Sequence, residues 1–200
     1  MNPSARFQAE DSVPPLEDLL ARRSPLDTEG DVQALLTRLN ERDLDFELFR
    51  IIANAEGVFR PFVWMASGLA SRTSLDPDLR EAVILAVSNL ADCQFVTVEH
   101  RPMALAAGLS VTEVDKLSGP SREWSSLPER ISLALDFVSD LMARTGHRTS
   151  MGRLFEAGWE PVAVLELCLV VAWWGSFVPS CIHSLELPPP SSDQRLGQPL

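Results

Sequence analysis

Apolar residues recur along this chain at three- and four-residue intervals, and no stretch alternates with period two. That rhythm predicts helices throughout and no sheet, so the fold class is all-α. From Gly30, the residues Val32, Leu35, Leu36 and Leu39 form one stripe, and Phe46, Phe49, Ile51 and Ile52 form part of another. A third helix is expected over 58–69, with Pro61 tolerated in its first turn. Asp76-Pro77-Asp78 reads as a helix start, with a capping side chain, proline at the first position and negative charge at the positive end of the dipole. The helix it opens turns Leu79, Val83, Ala86, Val87 and Leu90 inward. Asp92 is the expected cap of the next helix, over 93–107, which Pro102 should kink or split just after His100, and which Gly108 ends.

Two capping boxes follow, Ser110 with Glu113 and Ser126 with Glu129, separated by a loop at 119–125. The second opens a helix with Ile131, Leu135, Val138 and Leu141 inward, followed by a polar turn at 145–150 and a helix near 151–157. The last helix, about 161–185, is apolar over 161–178 except for Glu166 and Ser176. Its length sits at the lower limit for a membrane span, but Gly175, Glu166 and two tryptophans suit a protein interior. The expectation is a central helix buried on all sides, with Glu166 a structural carboxylate paired to Arg130. Domain boundaries follow: a partly mobile N-terminal arm at 1–28, a helical domain at 29–187, and a disordered proline-rich tail at 188–200.

The 200 residues carry a formal net charge of −11 with no basic stripe. Nucleic acid and anionic membrane surfaces are disfavoured as partners by that field. Cys93, Cys168 and Cys181 are odd in number and widely spaced, so neither a disulfide framework nor a zinc site is indicated. A reducing cytoplasmic compartment is expected, and the N-terminus lacks the basic start and apolar run of a signal peptide. No glycine-rich phosphate loop, HExxH, GxSxG or acidic metal cluster occurs, so no cofactor and no metal are expected.

The candidate chemistry lies in 79–113. His100 follows Cys93 by seven residues, sharing a helix face but about 10 Å away along the axis, too far for a thiolate–imidazolium pair. One turn before His100 stands Val96, which cannot react. Glu81 belongs to the preceding helix and can face His100 only if the two helices fold back on each other around Asp92. Histidine's ordinary titration range suits proton transfer near neutrality. Cys93 in the first turn of a helix would have its thiol pKa lowered.

These residues resemble the signature of the carboxymuconolactone decarboxylase and alkylhydroperoxidase D-like superfamily. The run Leu79-Arg80-Glu81-Ala82-Val83-Ile84-Leu85 is similar to its "LRELVIL", Cys93-Gln94-Phe95 followed by His100 to its "CxYxWxxH", and Ala106-Ala107-Gly108-Leu109-Ser110 to its "AxxAGLS". The closest resemblance spans roughly 44–118, with weaker echoes at 129–140 and 162–187. It implies an oligomeric alkylhydroperoxidase D-like helical bundle, a homotrimer or a hexamer of two trimers. Apolar helices in excess of what one small bundle hides fit such an assembly.

The resemblance also implies site residues: His100, Glu81 and Cys93 as the catalytic set, with Val96, Thr97, Phe95 and Trp174 walling a substrate pocket. Where the two-cysteine branch has a second thiol, this chain has Val96, which resembles the single-cysteine branch. Where relatives of that branch often carry Glu and Trp, Val96 and Thr97 make the pocket more apolar. The activity implied is that of a cofactor-free lyase or isomerase on a small carboxylic acid, lactone or related metabolite, working by His/Glu proton transfer. The alternatives are a thiol-based oxidoreductase using Cys93, with Cys168 or Cys181 as resolving thiol, and a non-catalytic ligand-binding protein.

Overall fold

The computed structural model describes residues 16–42, 44, 46–120 and 124–190. Every regular element among them is helical. Most of the arm expected at 1–28, namely 1–15, and 191–200 of the tail lie outside the described residues. Two compact units divide the chain, residues 1–65 with 184–187 and residues 66–183 with 188–200.

The first unit holds α1 (Leu16–Leu19), α2 (Gly30–Asn40), α3 (Glu47–Ile52) and the start of α4 (Glu56–Ser71). The stripe Val32, Leu35, Leu36 and Leu39 is buried, as its spacing requires. Phe49 is the hub of an aromatic cluster, with Phe46 and Phe62 each 5.6 Å away between ring centroids. The segment before α2 is tied to α3, because Arg23 N–H donates to the Arg50 carbonyl at 3.0 Å and Arg50 Nε returns a bond to the Arg23 carbonyl at 3.2 Å. Pro61 lies in the second turn of α4 and not in its first. The helix continues through it, because proline removes one backbone bond and α4 retains the others.

The second unit is organised around α5 (Pro77–Leu90), which packs against α6 (Gln94–Ala106), α7 (Val111–Ser118), α8 (Glu129–Met142) and α10 (Pro161–Ala172). Residues 81–88 of α5 are buried without a break. Small side chains at Ala82, Ala86 and Ser88 let neighbouring helices approach from several sides. Val83, Ile84, Leu85 and Val87, each fully enclosed, contribute about 1.5–3 kcal/mol apiece by leaving water. This helix, and not the apolar one at 161–178, is the buried centre of the unit.

The apolar run is divided into α10, a π-helical turn over Trp173–Phe177, and α11 (Val178–Ser184). Its buried side carries Val164, Leu167, Val170 and Val171, while Val162, Leu165 and Leu169 are exposed. Burial on all sides is thus not found in the single chain. Glu166 does not meet Arg130. Its Oε2 accepts from Ser74 N–H at 2.7 Å and from Ser74 Oγ at 2.5 Å. Arg130 instead holds Asp76 and Asp78, with Nη2 2.9 Å from both Asp78 oxygens.

That arrangement also corrects the reading of Asp76 as a side-chain cap. Asp76 occupies the N-cap position before Pro77, but its carboxylate pairs with Arg130 and makes no capping bond. The box at Ser110 and Glu113 is present in full, whereas Ser126 accepts from Lys116 Nζ and Pro128 stands at the N-cap of α8. The helix expected near 151–157 is α9 (His147–Glu156), starting at Gly146 with φ +62°. Pro102 neither ends nor divides α6.

Candidate active site

The turn between α5 and α6 sets the geometry. Asp92 takes the left-handed conformation, φ +52°, and Cys93 N–H donates to the Ser88 carbonyl at 2.8 Å while Asp92 N–H donates to that of Asn89 at 3.2 Å. This is a Schellman ending, with aspartate at the position usually held by glycine. Asp92 therefore terminates α5 and does not cap α6, whose N-cap residue is Cys93. Reversal of the chain here brings α6 back along α5. Ser88 Oγ and Thr97 Oγ1, 2.9 Å apart and buried, bond across the two helices, and Thr97 Oγ1 also reaches the Cys93 carbonyl at 3.3 Å.

Two turns from the reversal, the same pairing puts Glu81 against His100. Glu81 Oε2 lies 2.8 Å from His100 Nδ1, and the residues are 5% and 9% exposed, so the bond is shielded from competing water. A carboxylate only accepts, so Nδ1–H is the donor, and in the neutral ring Nε2 carries the free lone pair. Among the described residues nothing bonds Nε2. The other Glu81 oxygen, Oε1, is 3.5 Å from Arg80 Nε, and the Arg80 side chain is 12% exposed. The carboxylate is thus flanked by a guanidinium and an imidazole.

Trp174 completes the group. Its ring meets His100 edge-on, with centroids 5.5 Å apart and planes at 82°. The π-helical turn positions it: Gly175 sits so close to α8 and α5 that an added Cβ would meet Met142 Sδ at 2.9 Å and Val87 Cβ at 3.2 Å. A side chain at 175 would require Met142 and Val87 to give way, and π-turns concentrate at functional positions.

The structure therefore brings together Glu81, His100 and Trp174 of the residues picked from sequence. Val96 and Thr97, one turn before His100 on α6, are buried, as is Phe95. Cys93 stands apart from the dyad at the far end of that face. Its thiol is not lowered by the helix start: burial pushes its pKa up, outweighing the backbone amides of Val96 and Phe95 that pull it down, and nearby Asp92 adds to the rise. All three cysteines are free, and burial raises the thiols of Cys168 and Cys181 as well. Arg80 was not singled out from sequence, although an arginine adjoining the candidate glutamate was the available signal. Among the described residues no group of three His, Cys, Asp or Glu side chains is placed to hold a metal ion.

Residues 56–130 match the carboxymuconolactone decarboxylase family model, a span that contains Arg80, Glu81, Cys93 and His100. No curated protein matches the sequence. A solved structure from Silicibacter sp. TM1040, described as an uncharacterized peroxidase-related protein, superposes with a TM-score of 0.76 at 16% identity, over 90% of this chain and 93% of its own. Another, from Ralstonia eutropha JMP134 and described as an alkylhydroperoxidase AhpD core, gives 0.74 at 15% identity, over 86% and 91%. At such identities these two likenesses establish the fold. The family match falls on the dyad-bearing helices, and the fold is the one these two structures share.

Proposed function

We propose that the protein is a cofactor-free lyase or isomerase that moves a proton at carbon in a small carboxylic acid, lactone or related metabolite. The observation that carries this reading is the buried 2.8 Å bond between Glu81 and His100. Glu81 fixes the imidazole with Nε2 directed away from the carboxylate, ready to take or deliver a proton. In an isomerisation, Nε2 removes a proton from a carbon beside a carbonyl, the electron pair passes into the carbonyl as an enolate, and the imidazolium returns the proton elsewhere. In a decarboxylation, Nε2 first takes a proton from solvent; the bond to the carboxylate breaks, its pair forms the enolate, carbon dioxide leaves, and the imidazolium protonates carbon. Glu81 stabilises the positive ring in both cases.

The thiol reading draws support from the descriptions of the structural neighbours as peroxidase-related. Against it stand Val96 in place of a second thiol and the burial of Cys93, 1% exposed with a raised pKa. The apolar stripe Val162, Leu165 and Leu169 supports a homo-oligomer, trimeric or hexameric, and the free cysteines support a cytoplasmic setting. The net charge of −11 argues against nucleic acid and membrane surfaces as partners.

A panel of small oxo acids and lactones, followed by product NMR, tests the proposal. His100→Ala should lower turnover by about 10²–10⁴, the usual contribution of a positioned acid–base group. Cys93→Ser should retain turnover. Loss of a peroxide-consuming activity in Cys93→Ser would transfer the function to the thiol, and ligand binding without turnover would make the chain a binding protein.

A further inference from the structure

Arg80 is a guanidinium without an adequate partner. Its side chain is 12% exposed, and its ion pair among the described residues is the 3.5 Å approach of Nε to Glu81 Oε1. That approach is too long for a strong charge-assisted hydrogen bond, and the buried Nε makes none. The same carboxylate already gives its other oxygen to His100 at 2.8 Å. Of the Arg80 nitrogens, Nε is the one that is both enclosed and without a hydrogen bond. An enclosed Nε–H with no acceptor is costly, and an anion at the terminal nitrogens would add the partner that Glu81 supplies only weakly. A guanidinium presents its terminal N–H groups as a flat fork that matches a carboxylate.

The geometry points to Arg80 as the residue that receives the carboxylate of the substrate, making the ligand of this site a small organic acid with a carbonyl placed for His100. This rests on the proton-transfer reading above and narrows its substrate class from acids and lactones to anions. Arg80 fixes one end of the ligand, His100 Nε2 meets the reacting carbon, and the edge of Trp174 limits how bulky the molecule can be. Glu81, lying between them, links the anchoring cation to the reacting imidazole.

The test uses levulinate, an oxo acid, and its uncharged methyl ester as probes of the full-length protein. The ring resonances of His100, assigned by replacing each histidine in turn, report binding. The expected result is that levulinate shifts them in the parent and binds about ten- to hundredfold more weakly to Arg80→Met, while the ester binds both alike. Equal levulinate affinity in the parent and Arg80→Met overturns the role of Arg80 and leaves the His100 reading standing. So does a parent that binds only the ester. A changed oligomer mass in Arg80→Met, with the levulinate-to-ester ratio untouched, also overturns it and makes Arg80 the partner of another subunit's carboxylate. Binding of neither probe overturns both readings together. If Arg80→Met does not fold, the same ratio in Arg80→Lys decides, with a fall expected because the fork is lost while the charge remains.

Discussion

At the residue scale, Glu81 and His100 show how separation in sequence becomes adjacency. They are nineteen positions apart, yet one hydrogen bond joins them inside the core. Cys93 shows the opposite outcome. Its place at the start of a helix suggested a lowered thiol pKa, but loss of water outweighs two backbone amides, and the balance is upward. Thiolate is therefore scarce near neutrality, and reactivity should appear only as pH rises. Alkylation of Cys93 by iodoacetamide, read by peptide mass, should be at least about tenfold slower at pH 7 in folded protein than in urea, as inert buried thiols are. Equal rates would contradict the burial. The sequence carried the identities of Glu81, His100 and Trp174, because residue type and motif spacing are local properties. It did not carry Arg80's poor pairing or the actual partner of Glu166, since each depends on which side chains the fold brings within 4 Å.

Among the elements, helix starts and stops were legible where the signal was a single local motif. Gly108, with φ +103°, ends α6, and the box of Ser110 and Glu113 opens α7. They were misread where a carboxylate had two uses, as with Asp76, drawn to Arg130, and Asp92, which adopts a left-handed conformation. The π-turn was hidden because its cause, contact of Gly175 with Val87 and Met142, is tertiary. The Glu113 box has a pH signature. The hydroxyl and amide of Ser110 lower the pKa of Glu113 in the folded state, so its stabilising effect is present above the unfolded glutamate range and is lost as pH falls through the folded value. Urea midpoints should therefore separate the parent from Glu113→Gln at pH 7 and draw together as pH falls through the folded value of Glu113. Ser110→Ala should cost about 1 kcal/mol at neutral pH. A gap that does not narrow as pH falls would assign the effect to something other than the charge.

For the whole molecule, the departure from expectation lies in which helix is central. Uniform apolarity marked 161–178 for the interior, but α5, with small and large residues mixed, is the one enclosed by its neighbours. Hydrophobicity reports that a surface must be covered and is silent on whether the cover comes from the same chain. Val162, Leu165 and Leu169 recur at three and four residues on α10 and remain 62%, 59% and 44% exposed. If a second copy covers them, Leu165→Glu places a charge in that contact. Sedimentation should then show a larger mass for the parent than for the variant at equal concentration, with unchanged helical circular dichroism. An unchanged mass would remove this stripe from the interface.

Under the proposed function, the His100 imidazole, held by Glu81, moves protons at carbon. The direct measurement is solvent deuterium uptake at the carbons beside the levulinate carbonyl, followed by proton NMR in heavy water. Protein-dependent uptake is expected, surviving Cys93→Ser and falling at least about a hundredfold in His100→Gln. Uptake of equal rate in the parent and His100→Gln, or none above buffer in either, would contradict it.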